Sequence, residues 1–146
     1  MLTRLIGVAL AAMLSSSCYF TTDDGWIWWA TDDPELLDAE AGCFRDVVHT
    51  GLGEYAVNTW YFEAEVYDFD GPDDIMSVEA HVYDLWLGRR VGWFELDPTT
   101  HMGWWYSEWP ESMTGLDCYN PDYEVDFIVT DYWGGWDTRT VVPWTW

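Results

Sequence analysis

Four aspartates, Asp68, Asp70, Asp73 and Asp74, crowd into the stretch Asp-Phe-Asp-Gly-Pro-Asp-Asp. Clustered carboxylates on a turn offer the oxygen-only, flexible coordination that Ca2+ takes. Without a cation, charges this close in sequence repel one another. The spacing is not that of an EF-hand loop, because the downstream bidentate glutamate is missing at the required distance. The plainer alternative is a solvated turn in which aspartate and glycine serve backbone geometry. Ca2+ is the one candidate cofactor.

A second group is aromatic. Trp104, Trp105, Tyr106 and Trp109 stand close together in a chain that holds 13 tryptophans, more than one small core can enclose. Exposed rings could stack on sugars, as in a carbohydrate-binding module, or anchor a protein interface. The alternative is that they fill the core and cover sheet edges. Enzymatic chemistry finds less support. His49, His81 and His101 are isolated, with no zinc-protease pair and no nucleophile elbow near them. Outward carboxylate pairs such as Glu63 and Glu65 could do glycosidase work, but such pairs arise by chance in so acidic a chain. The expectation is a non-enzyme.

The elements that must position these groups read as strands. Trp60, Phe62, Ala64 and Val66 alternate with Tyr61, Glu63, Glu65 and Tyr67, a period of two with one apolar face. Val78, Ala80 and Val82 repeat the pattern, and so do Tyr123, Val125, Phe127 and Val129. Shorter runs at 43–49, 91–96 and 102–109 and a terminal run at 136–146 bring the expected total to seven. Short strands at this spacing predict an all-β, antiparallel β-sandwich. Asp33 before Pro34 reads as the cap of a short helix over 34–39. Gly134-Gly135 reads as a two-residue hairpin turn. That register sets Phe127 opposite Val142 and Val129 opposite Thr140, and keeps Asp137 and Arg139 out of the core.

Charge and cysteines bear on location. There is no lysine, and 27 carboxylates face five arginines, for a formal net charge of −22. Such a surface repels phosphate backbones and anionic headgroups, so nucleic acid is not an expected partner. Arg4, the apolar run 5–14 and Ser15-Ser16-Ser17 have the layout of a secretory signal peptide, too short to span a bilayer. Leu14-Ser-Ser-Ser-Cys18 resembles the lipobox of bacterial lipoproteins, departing from it where Ser15 stands in place of leucine. The resemblance implies cleavage before Cys18 and a lipid on that residue. The alternative is an ordinary signal-peptidase cut with Cys18 incidental. An odd cysteine count in an exported chain favours the lipid, since removing Cys18 leaves Cys43 and Cys118 as an even pair. A bond between them would contribute about 4 kcal/mol by closing a long loop. Two buried thiols are the alternative. The chain then divides into a signal segment 1–17, a tether and lead-in segment 18–40 and a domain 41–146. The cluster of Trp26, Trp28 and Trp29 is expected to pack onto that domain.

Val66-Tyr-Asp-Phe-Asp-Gly-Pro-Asp-Asp-Ile-Met-Ser-Val78 and Tyr123-Glu-Val-Asp-Phe-Ile-Val-Thr-Asp131 resemble immunoglobulin-like domains of bacterial surface proteins, over roughly residues 41–143. In that family an acidic turn with glycine joins the second and third strands, and a late Tyr-x-Val-x-Phe-x-Val-x-Asp strand leads into the last hairpin. The resemblance implies that the acidic turn and the 131–137 hairpin share one end of the sandwich. That adds Asp131 and Asp137 to the candidate Ca2+ ligands. The chain departs from antibody-type domains in its cysteines, so a bond between the second and sixth strands is not implied. The combined expectation is an exported protein held at the bacterial outer membrane or cell surface by its lipid, with a non-catalytic binding, adhesion or structural role. Its partner would be an envelope protein or a glycan. A carbohydrate-binding module is the alternative.

Overall fold

The computed structural model describes residues 21–22, 25–26, 32–51 and 53–145. The signal segment, Cys18, Trp28 and Trp29 lie outside them, and so does the side chain of Trp26. The chain divides into two compact units, Met1–Ala30 and Thr31–Trp146. In the first, β1 (Thr21–Thr22) and β2 (Gly25–Trp26) pair antiparallel. No helix among the described residues is long and apolar enough to cross a membrane.

The second unit is an all-β sandwich of two antiparallel four-stranded sheets. One sheet orders β3 (Glu35–Thr50), β4 (Gly53–Tyr67), β8 (Trp104–Pro110) and β7 (Asp97–Pro98). The other orders β10 (Trp136–Val141), β9 (Tyr123–Asp131), β5 (Ile75–Asp84) and β6 (Arg89–Glu95). Lettered along the chain as A, B, C, C′, D, E, F and G, the sheets read A-B-E-D and G-F-C-C′, the immunoglobulin-like order. Eight strands replace the seven expected. The extra one, β7, is only two residues long, too short to leave a periodic signal.

The alternating faces pack as their sequence dictates. Trp60, Phe62, Ala64, Val78, Ala80, Val82, Val125, Phe127 and Val129 are fully buried between the sheets. Phe62 stacks on Phe94 with ring centroids 4.6 Å apart, and Tyr123 meets Trp60 edge-on at 5.9 Å. Each large side chain buried here contributes about 1.5–3 kcal/mol. The Tyr123 hydroxyl also accepts a hydrogen bond from the Asp117 amide (3.1 Å), a corner of the kind that fixes the start of this strand in immunoglobulin-like domains. Cys43 on β3 and Cys118 just before β9 form a disulfide, with Cα atoms 5.6 Å apart. The bond therefore runs from the first strand, not from the second.

Three expectations about local structure are corrected. Residues 35–39 are strand and not helix, because Glu35 onward pairs with β4, beginning with Glu35 opposite Tyr67. Tertiary pairing overrides the local Asp-Pro signal, and the sandwich starts ahead of residue 41. The β9–β10 hairpin has no Gly-Gly turn either. Asp131 pairs with Gly135 (N to O, 3.1 Å), and Gly134 takes the positive φ of +92° within the loop. Arg139 therefore stands opposite Phe127 and Asp137 opposite Val129, so both lie on the inward face. They are tolerated there because β10 is an edge strand, and the backbone of β3 satisfies them. The Leu36 amide donates to Asp137 Oδ2 (2.8 Å), and Arg139 donates to the carbonyl of Leu37. Finally, β10 ends at Val141 and not at residue 146. Past Pro143, Trp144 crosses to β3, pairing parallel with Gly42 (Cys43 N to Trp144 O, 3.1 Å) and closing that side of the sandwich. Gly42 permits this approach, since a Cβ there would lie 2.5 Å from the indole.

Candidate functional site

The β4–β5, β7–β8 and β9–β10 loops gather at one end of the sandwich. The Val66 amide donates to Gly103 O (2.7 Å), and the Tyr132 amide donates to Asp74 O (3.0 Å). The β4–β5 loop folds back through Gly71, at φ +111°, into a single 3-10 turn over Pro72–Asp74. The fold thus brings Asp68, Asp70 and Asp74 together, with one carboxylate oxygen of each within 4.8 Å of the others.

Of these three only Asp68 is buried, Asp70 being exposed and Asp74 half-buried, and the buried Asp131 lies outside the group. Asp68 is 9% exposed and Asp131 only 2%. In each, one oxygen is tied to the backbone. Asp68 Oδ1 accepts from the Asp70 amide (2.8 Å), and Asp131 Oδ1 accepts from Trp133 N (2.8 Å) and Gly135 N (2.7 Å). The second oxygen of each, like Asp74 Oδ2, is shut off from solvent and has no hydrogen-bond partner among the described residues. Burial first, and then the charge of Asp68, push the Asp74 carboxyl above its ordinary range. Asp131 and Asp70 add to the shift, and a hydrogen bond from the Trp133 side chain opposes it. Ion pairs among the described residues link His49 to Glu54, His81 to Glu79 and Arg139 to Asp38, so none involves this cluster. Buried polar atoms are normally paired. Buried carboxylate oxygens without a donor suit a hard cation, and an all-carboxylate donor set suits Ca2+ better than a transition metal.

The other residues expected here are placed differently. Asp73 is exposed on the turn and outside the group of three. Asp137 faces β3, with both oxygens engaged by the Leu36 and Thr138 amides (2.8 Å each). Sequence reading missed Asp33, whose Oδ1 approaches the β9–β10 loop beside Asp131. Its place before Pro34 suggested a helix cap and so concealed it.

The aromatic group divides between faces. Trp105 packs against the core, and Trp109 meets Phe94 with centroids 6.2 Å apart. Trp104 and Tyr106 look outward and line an open cleft of about 450 Å³ with Glu63, Thr99 and His101. The Tyr106 hydroxyl donates to Glu108 (3.0 Å), and burial foremost, then that bond, push its pKa up to about 12. Comparison with protein-family models, with curated proteins and with solved structures finds no match.

Glu63 in this cleft carries a testable consequence. Burial, followed by the charges of Glu40 and Asp38, raises its carboxyl above the ordinary glutamate range. A pKa raised by folding gives stability that is complete below the unfolded value and is lost as pH rises through the folded one. Glu63→Gln, neutral at every pH, is expected to raise the thermal midpoint at neutral pH by the equivalent of about 1 kcal/mol or less. The gain should vanish below pH ~4. A gain of equal size in acid, or none at neutral pH, contradicts this.

Proposed function

We propose that the protein is an exported, lipid-anchored module of the cell envelope whose work is binding, with Ca2+ bracing the loops that do it. The observation that carries this reading is the gathering of Asp68, Asp70 and Asp74, one carboxylate oxygen of each within 4.8 Å of the others, in a group where Asp68 Oδ2 and Asp74 Oδ2 are buried without a donor. Asp68, Asp70 and Asp74 would hold the ion, and water would complete its shell. The loops so braced carry Phe69, 70% exposed, and Trp133, 72% exposed, aromatic anchors of the type favoured at protein interfaces. The role is non-catalytic, and the partner is an envelope protein. A lipid on Cys18 would hold the domain at the membrane while its negative charge keeps it off the anionic headgroups.

The cleft beside Trp104 and Tyr106 favours one second reading, a carbohydrate-binding module. Two rings next to Glu63, Thr99 and His101 offer both a stacking surface and polar groups. Binding of a glycan that ignores chelator and is lost in Trp104→Ala would support it over the first reading.

Thermal unfolding in Ca2+ and in chelator, at matched ionic strength, tests the main reading. Ca2+ at about a hundred times its Kd is expected to add about 2.7 kcal/mol, a rise of about 10 °C in Tm for a domain of this size. Asp68→Asn should abolish most of that rise. Equal midpoints in Ca2+ and in sodium chloride would sink the proposal. Lipid anchoring has its own test: Cys18→Ser should move the protein from the membrane fraction to the soluble one, and unchanged fractionation would refute it.

A further inference from the structure

A second pair of carboxylates meets next to the first cluster. A Cβ built on Gly135 would lie 2.5 Å from Asp131 Oδ2 and 2.5 Å from Asp33 Oδ1. The two oxygens therefore flank one point on the chain and are separated by no more than twice that distance. Asp131 is 2% exposed, and its Oδ2 has no donor. Its other oxygen is fixed by the Trp133 and Gly135 amides, so the carboxylate cannot rotate away without breaking both bonds. A Cβ at residue 135 would collide with both oxygens, so they hold these positions only because that residue has no side chain.

We propose that Asp33 and Asp131 form a second divalent-cation position, in which Ca2+ bridges Asp131 Oδ2 and Asp33 Oδ1 across Gly135 and pins the start of the sandwich to the β9–β10 loop. The proposal rests on the reading of this end as a cation site and extends it to residues outside the loop cluster. Oxygens this close are within reach of a single Ca2+, which takes ligands at about 2.3–2.6 Å. Both donors are hard carboxylates, which again selects Ca2+ over softer metals.

The consequence is mechanical. Pro34 is buried, and the next anchors along the chain are the Leu36 amide on Asp137 and the Arg139 contacts with Leu37 O and Asp38. Backbone pairing of β3 with β4 begins at Glu35, opposite Tyr67. A cation on Asp33 adds a side-chain anchor ahead of the first paired residue of β3. Removing the ion leaves two facing carboxylates that repel, and the lead-in is released.

The test is calorimetric Ca2+ titration of the mature chain together with amide hydrogen exchange over residues 32–36. Wild type is expected to bind two ions, with exchange at 32–36 slowed about tenfold or more by Ca2+. Asp33→Asn should bind one ion and lose that protection, its remaining site unchanged in affinity. Gly135→Ala, which alters no charge, should do the same by displacing both oxygens. Asp68→Asn should lose the loop ion while Ca2+ still protects 32–36. One ion in wild type, with Asp33→Asn indistinguishable from it, overturns this inference and leaves the loop site standing. No ion in wild type overturns both.

Discussion

An ionised carboxylate removed from water must find a proton, a donor or a cation, and this domain buries two aspartates at one end with an oxygen of each left over. The requirement is severe because the chain has so little positive charge to spend. It has no lysine. Arg139 is committed to Asp38 and to the β3 backbone. Arg89 and Arg90 stand at the far end of β5, across from Asp84 and Tyr83, whereas Asp131 pairs with Ile75 at the near end. A ten-residue strand separates the two ends by about 30 Å, beyond the reach of any side chain. No ion pair among the described residues reaches Asp68, Asp74 or Asp131, and a cation from solution is the balance proposed for them.

The open side of the sandwich obeys a related rule. Inward-facing charge on β10 would be ruinous in a central strand. At this edge it is matched by unpaired backbone groups of β3, so Asp137 and Arg139 act as a latch between the two sheets. Trp144 completes the closure farther along, on the surface that Gly42 leaves clear. The same latch turns Asp137 toward β3, with its two oxygens serving the Leu36 and Thr138 amides. Asp33 lies two residues ahead of Glu35, where the pairing of β3 with β4 begins.

Much of this fold is legible in the sequence wherever a strand has a buried and a wet face. The alternation from Trp60 to Val66 and from Tyr123 to Val129 marks both core strands and their inward sides. Legibility fails at edges, where neighbours and not periodicity decide. The segment 35–39 carries a helix signal, yet β4 draws it into a sheet. The β10 register cannot be inferred from apolar matching, because an edge strand may present Arg139 and Asp137 inward without penalty. Of the candidate site, the Asp-x-Asp-Gly turn is visible as a cluster, and the resemblance to immunoglobulin-like domains sets Asp131 near it. Asp33 is invisible, since only the folded chain carries it back to Gly135.

The central question is whether a hard cation sits among Asp68, Asp70 and Asp74. Terbium luminescence addresses this directly, because Tb3+ takes oxygen sites like those of Ca2+ and emits when a nearby indole transfers energy to it. Trp133, hydrogen-bonded to Asp74, is placed to do so. The account predicts sensitised emission that Ca2+ displaces, that Trp133→Phe dims and that Asp68→Asn abolishes. Emission absent, or indifferent to both Ca2+ and Asp68→Asn, would contradict it.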